Sequence, residues 1–358
     1  LKPSEGSLKR VVVKVGSSLL YADKGSRRAA PGALKNIARQ AASLVKSGIE
    51  VVVVSSGAIG FGMSRLGLRS RPKELSLLQA AAAVGQNELM NIYRQAFSSC
   101  GLLCGQVLLT WEDFVERRRY LNAKTTLQKL LQLGIVPVVN ENDTVAVDEI
   151  KFGDNDRLSV LVASMLSADL LLNLSDVDGL LGEDRKSVIR EVGVITPEIR
   201  KVAAPTGNRS SVGGMITKLD SAAIAMKSGI TYVIANGRGK NTVKLAVEEP
   251  RSIGTIFFPS KGRMAARERW IAFGSRPKGR LIVDDGAKKA LLSRKSLLCV
   301  GIVGSEGVFR PGDIVSISDR ENKDFARGRA ALAADVISSA KGKRFSREAV
   351  HCDDIVIL

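Results

Sequence analysis

Lys14 stands inside RVVVKV, an otherwise apolar run rich in β-branched residues, and Gly16, Ser17 and Ser18 follow it. An ammonium group carried into such a run must meet an anion or a carboxylate, because an unpaired charge in apolar surroundings is costly. A lysine on an edge strand, facing water, would give the same pattern. A second lysine, Lys218, closes the run Val212-Gly213-Gly214-Met215-Ile216-Thr217-Lys218. The residue order of a P-loop is absent. Paired glycines that open a helix, with Thr and Lys one turn in, still read as a phosphate cradle, or as a plain loop before a helix.

Four more clusters carry polar groups. Ser55-Ser56-Gly57-Ala58-Ile59-Gly60 follows a fully apolar run. It offers backbone N–H groups to an anion, although its glycines would serve a turn equally well. Asn140-Glu141-Asn142-Asp143 and, a little further on, Gly153-Asp154-Asn155-Asp156 concentrate amides and carboxylates. They suit a ligand with an ammonium group, or a metal. Residues 154–157 also read as the cap of a following helix. Ser175-Asp176-Val177-Asp178-Gly179 is a nucleotide contact or a simple turn. Together, two lysines, open N–H groups and a set of carboxylates and amides match phosphoryl transfer, where catalysis is mainly positioning and charge neutralisation.

Composition removes other chemistries. The single histidine, His351, lies near the C-terminus, so Ser-His-Asp or Cys-His catalysis and histidine-rich zinc sites are set aside. Cys100, Cys104, Cys299 and Cys352 form no CxxC pair, which predicts reduced thiols in a cytoplasmic protein. The net charge of +18 admits phosphate-rich ligands or nucleic acid. It is uneven: residues 261–280 hold seven Lys/Arg against one acid, Glu268. That tract reads as a solvated linker or as a contact for RNA or a neighbouring subunit. The longest apolar stretch, 158–174, is interrupted by Asp169, Ser and Asn, so no membrane span and no membrane partner are expected. The first apolar run carries Lys14 in its middle, which a signal-peptide core does not.

These clusters need a frame that brings them together. A chain of 358 residues predicts about two domains. Aromatic residues are only 4%, so the cores must be built from Val, Ile, Leu and Ala. Apolar runs predict strands over 10–15, 50–55, 104–109, 135–140, 169–174 and 230–235. Helical patterns lie over 31–47, 75–100, 119–133, 157–166 and 215–228. The alternation predicts an α/β domain with a mainly parallel sheet and helices on both faces. Ligands then bind beyond the carboxyl ends of the strands, where the polar clusters fall. After Pro259 the pattern changes to short strands and turns. The expected organisation is a catalytic domain over 1–258, a basic linker over 259–279 and a small β domain over 280–358.

The stretches VVVKVGSSLL, VVVVSSGAIG, IVPVVNENDTVAVDEIKFGDNDRLS, LLNLSDVDGL, VGGMITKL and RWIAFG resemble the amino acid kinase family, in the branch that phosphorylates L-glutamate. The NENDTVA…GDND block is the most specific, since it separates that branch from kinases of aspartate, carbamate and uridylate. The C-terminal part resembles a PUA domain, a small β-barrel that in other proteins binds RNA. The resemblance implies an αβα sandwich around a mainly parallel sheet. It implies ATP and Mg²⁺, γ-glutamyl phosphate as product, and the first step of proline biosynthesis. It also implies proline as a feedback inhibitor and a dimer or tetramer. By motif, Lys14 and Lys218 would bracket the transferring phosphoryl group, and Asp156 would hold the two lysines. Ser56, Asn140, Asp143, Asp154 and Asn155 would bind glutamate. Gly16, Ser175, Asp176, Val212, Gly213, Gly214, Met215, Ile216 and Thr217, with the two lysines, would bind ATP. No protein ligand for the metal is assigned. Val212 stands where the family usually has Thr, and the segment after Gly182 looks short. Other readings are an RNA-binding protein acting through the PUA-like part, or a sister kinase with another acceptor.

Overall fold

The computed structural model describes residues 8–20, 31–146, 155–203, 214–260, 264–274 and 277–358. The expected site residues Asp154, Val212 and Gly213 lie outside the described residues. The chain forms two compact units, one of residues 1–113 and 118–263, the other of residues 114–117 and 264–358.

Among the described residues the first unit has eight strands: β1 (Arg10–Val15), β2 (Glu50–Ser55), β3 (Cys104–Leu109), β4 (Val136–Glu141), β5 (Leu170–Ser175), β6 (Glu191–Val192), β7 (Thr231–Asn236) and β8 (Thr255–Phe257). Their order across the sheet is β3-β4-β2-β1-β5-β7-β8-β6. Every pair is parallel except β7 with β8. Val11, Val12, Val13 and Val15 of β1 are fully buried. That is the signature of a central parallel strand covered on both faces, and it explains the continuous apolar run. The short strands β6 and β8 were not foreseen, because two or three residues carry no readable period.

The helices of this unit are α1 (Pro31–Lys46), α2 (Ala58–Arg65), α3 (Leu75–Ser98), α5 (Arg117–Gln132, whose first residue is counted with the second unit), α6 (Asp156–Leu166), α7 (Pro197–Ala203), α8 (Met215–Lys227) and α9 (Thr242–Glu248), while the short α4 (Glu112–Val115) is divided between the two units. Two glycines let α2 and α3 touch backbone to backbone. A Cβ on Gly62 would lie 1.7 Å from Ala81 O, and one on Gly85 would lie 1.8 Å from Ala58 O. This close crossing fixes where the middle of α3 meets the sheet edge.

The second unit carries a mixed five-stranded sheet and a two-stranded ladder. Its strands are β9 (Gly279–Val283), β10 (Leu297–Leu298), β11 (Ile302–Gly307), β12 (Ile314–Ser318), β13 (Asp324–Arg329), β14 (Glu348–Val350) and β15 (Ile355–Ile357). The sheet order is β11-β9-β12-β13-β15, and β10 pairs with β14. No ladder joins β11 to β15 among the described residues, so the sheet itself is open. Leu281, Val283, Val315, Ile317 and Val350 form its core. Within the basic tract, Ala266–Arg269 is helical and Trp270–Gly274 continues as a π-helical turn. Ile271 and Ala272 are buried there against Ile314 and Val356. Those residues are part of the second unit's packing and do not form a solvated spacer.

Candidate active site

Parallel strands bring their carboxyl ends to one edge, and β4, β2, β1, β5 and β7 are consecutive neighbours. Four of the five carry a polar cluster at or just beyond that end. Lys14 pairs in register with Val54 on one side and Asn173 on the other, so it lies in the middle of the sheet. It is only 4% exposed, which excludes the edge-strand alternative. Its ammonium contacts Asp156 Oδ1. Asp156, the first residue of α6, is wholly buried, and its Oδ2 lies 3.0 Å from the Nζ of Lys218, which is 5% exposed. Asn173 Nδ2 donates to Asp156 Oδ1 at 2.8 Å, and Thr217 Oγ1 to Oδ2 at 3.4 Å.

Burial on its own would raise the pKa of Asp156. The ammonium groups of Lys14 and then Lys218, with their hydrogen bonds, outweigh it and hold the carboxyl well below the usual carboxylate range. The start of a helix favours the same negative charge. Asp156 is thus an anion, and the trio carries two positive charges against one. Such a cluster holds the two ammonium groups close together while leaving a net attraction for phosphate oxygens.

Gly214 precedes α8 and makes no side-chain cap. Its carbonyl accepts from Thr217 Oγ1 at 2.8 Å, while the first N–H groups of the helix lack intrahelical acceptors by construction. Met215, Ile216 and Thr217 form the first turn and place Lys218 at the sheet edge. Gly16 N donates to Leu174 O at 2.9 Å. Ser175 ends β5, and its hydroxyl donates to Asp176 Oδ1 at 3.3 Å. Gly57 has φ 99°, and a Cβ there would fall 1.7 Å from Leu20 Cδ1, so this glycine is demanded by the turn.

Asn155, next to Asp156 in the chain, ties the ends of β2 and β4 together beside the trio. Ser56, Asn140 and Asn155 are buried. Asn155 sits at the N-cap position of α6 but makes no cap bond, which corrects the capping alternative for this residue. Its Nδ2 donates instead to the Ser55 carbonyl and, at 2.6 Å, to Asn140 Oδ1. Asn140 Nδ2 donates to Gln86 Oε1 at 2.8 Å. Asp143 lines a neighbouring cavity of about 330 Å³ with Ala58, Gln86, Glu141 and Asn142.

Asn173, Tyr232 and Gln86 belong to this polar assembly and were not anticipated as site residues. Asn173 had a readable signal, a lone amide in the apolar strand LLLNLS, of the same kind as Lys14. Its Nδ2 also donates to Tyr232 OH at 2.6 Å. Gln86 had none, since it lies in a helix with an ordinary mixed pattern. Arg157 stacks on Trp111, its guanidinium 4.1 Å from the ring centroid.

A mainly parallel sheet with a lysine-carboxylate-lysine cluster at its carboxyl edge is the arrangement of a phosphoryl-transfer protein, and the comparisons give its class. The sequence model described as Amino acid kinase family matches residues 9–236, and that of the PUA domain matches residues 279–352. Proteins named glutamate 5-kinase are similar along nearly the whole length. That of Thermoanaerobacter sp. (strain X514) is 41% identical over 98% of both chains. That of Geobacter sp. (strain M21) is 42% identical over 98% of both. That of Moorella thermoacetica is 43% identical over 98% of this chain and 96% of its own. The chain belongs to the glutamate 5-kinase family.

Proposed function

We propose that this chain transfers the terminal phosphoryl group of ATP to the γ-carboxylate of L-glutamate, giving L-glutamyl 5-phosphate, the first step of proline biosynthesis. The observation that carries the reading is the pair of buried lysines held on one buried carboxylate at the edge where the amide cluster also lies. A glutamate side chain has an ordinary pKa of about 4.3 and is already ionised at neutral pH. The reaction therefore needs no general base, in keeping with a site built without histidine. What it needs is relief of repulsion between an attacking anion and a phosphate. Lys14, Lys218 and the first N–H groups of α8 supply it.

Both oxygens of Asp156 already accept from the lysines, so its role is to position them. Among the described residues, the one metal-donor grouping of three, His351, Cys352 and Asp353, belongs to the second unit. A Mg²⁺ ion brought with ATP would be held mainly by nucleotide phosphates and water, because Mg²⁺ keeps several waters and binds through substrate phosphates. When bound, that ion would neutralise phosphate charge. On the acceptor side, Asp143 and Asp154 are the proposed carboxylate partners of the α-ammonium group, with Ser56, Asn140 and Asn155 as hydrogen-bonding partners.

The test is ADP release with and without L-glutamate, with hydroxylamine trapping to identify an acyl phosphate. Release that does not depend on glutamate, or depends equally on aspartate or acetylglutamate, would overturn the assignment. Proline as inhibitor, a dimer or tetramer, a cytoplasmic location and RNA contact through the PUA unit are further parts of the proposal. No helix among the described residues is long and apolar enough to cross a membrane. Beyond Arg280 there are 13 Lys/Arg against 11 Asp/Glu, a weak electrostatic footprint for nucleic acid. A salt-sensitive gel shift with structured RNA tests that part. Proline titration and light scattering test the inhibition and the oligomer.

A further inference from the structure

Amide side chains place their oxygen and nitrogen by their partners, and here a chain of amides is anchored at one end. The Ser55 carbonyl can only accept, so Asn155 must turn its Nδ2 towards it. The same Nδ2 donates to Asn140, which must then present Oδ1. Asn140 Nδ2 is thereby turned to Gln86, whose Oε1 accepts at 2.8 Å. Each orientation follows from the one before, and Gln86 closes the relay. It leaves Asn155 Oδ1 as the acceptor on the other side of that amide.

Gln86 pays for this place. Its Nε2 is sealed from solvent and has no hydrogen-bond partner among the described residues. A buried donor left without an acceptor costs about 1–3 kcal/mol. Stability alone does not favour such a residue, whereas function commonly tolerates one. Gly85 makes the contact possible, because its missing side chain lets α3 close on α2 at Ala58.

We propose that Gln86 is a positioning residue for the acceptor amino acid. Its side-chain carbonyl takes the outer end of the Asn140 amide and so holds Asn140, and Asn155 behind it, in the orientation that the Ser55 carbonyl sets, with Asn155 Oδ1 left to face the ammonium group of the substrate. The inference rests on the amino-acid kinase reading and goes beyond it by assigning this acceptor-orienting role to a residue of α3.

The experiment compares Gln86→Met, which has no acceptor, with Gln86→Glu, which keeps an acceptor and removes the orphan donor. Loss of one buried hydrogen-bond acceptor predicts that Gln86→Met raises the glutamate KM about tenfold while the ATP KM stays within about twofold. Gln86→Glu keeps the acceptor but buries a charge, so its glutamate KM is expected to rise clearly less than that of Gln86→Met, with the ATP KM within about twofold. In an Asn140→Ala background, Gln86→Met should add nothing further, because its effect passes through Asn140. Thermal unfolding of each variant separates these effects from loss of folded protein. Equal changes in both KM values, additive effects of the two substitutions, or a Gln86→Glu variant as impaired as Gln86→Met would overturn the relay. The last result would point to direct donation by Gln86 to the substrate. The comparison uses whichever amino acid the parent enzyme phosphorylates, so failure of glutamate as acceptor counts against the substrate assignment alone.

Discussion

Asp156→Asn is the sharpest perturbation of this site, since it removes a charge with almost no change of shape. The carboxylate accepts from Lys14 and Asn173 at one oxygen, and from Lys218 and Thr217 at the other. An amide accepts at only one end, so whichever way it turns, its NH₂ faces a donor. At the 3.0 Å Lys218 separation, one unit-charge attraction is roughly 5 kcal/mol at an effective dielectric constant of about 20. Relief of the carboxylate's own desolvation offsets part of that, and breaking a buried pair costs about 3–5 kcal/mol net. At about 3 °C per kcal/mol for a domain of this size, calorimetry should show the first unit melting roughly 10 °C lower. Turnover should fall by about 10² or more, the scale of a displaced donor in a preorganised site. A phosphate ligand replaces the missing anion, so ATP should raise the variant's melting temperature more than the parent's. The pH response follows from the same charge. A carboxyl whose folded pKa is depressed stabilises fully above its unfolded value of about 3.9, and loses that contribution as pH falls through the folded value. The parent should therefore lose stability in acid more steeply than Asp156→Asn. A variant within about 1 kcal/mol of the parent, with near-normal turnover, would refute the account of Asp156 as the spacer between the lysines.

Lys14→Ala and Lys218→Ala should each lower kcat by roughly 10² or more in folded protein, read by ADP release; ordinary turnover in either would remove that lysine from the chemistry. Asp143→Ala should raise the glutamate KM well beyond any change in the ATP KM, whereas equal effects would place Asp143 outside the acceptor site. Gly85→Ala puts a Cβ 1.8 Å from Ala58 O, a backbone atom that cannot swing aside. It should cost about 3 kcal/mol by denaturant unfolding and raise the glutamate KM by shifting Gln86. An unchanged midpoint would contradict the close crossing of α2 and α3.

Much of this protein could be read from its residues. The β-branched runs located the six main strands to within one residue, because buried parallel strands are continuous apolar segments. Lys14 announced a buried partner, since an ammonium group in such a strand must be compensated. The motifs at the strand ends announced phosphate chemistry. Distance through space was not legible. The family resemblance named Asp156 as the acid that holds the lysines, but burial pattern alone did not separate it from the other acids of its cluster; the pairing depends on where α6 begins against β1. The strand order, which sets β4, β2, β1 and β5 side by side, is a property of the folded sheet. Asn155 looked like a helix cap by type and position, and became a link in an amide relay because Ser55 O and Asn140 Oδ1 lie within its reach. Gln86 carries no local signal, and its meaning comes from the crossing of α2 and α3 at Gly62 and Gly85. Sequence fixes which groups must find partners, because burial is set by local pattern. Only packing decides which partners they find, because hydrogen bonds and ion pairs act over about three ångströms between residues far apart in the chain.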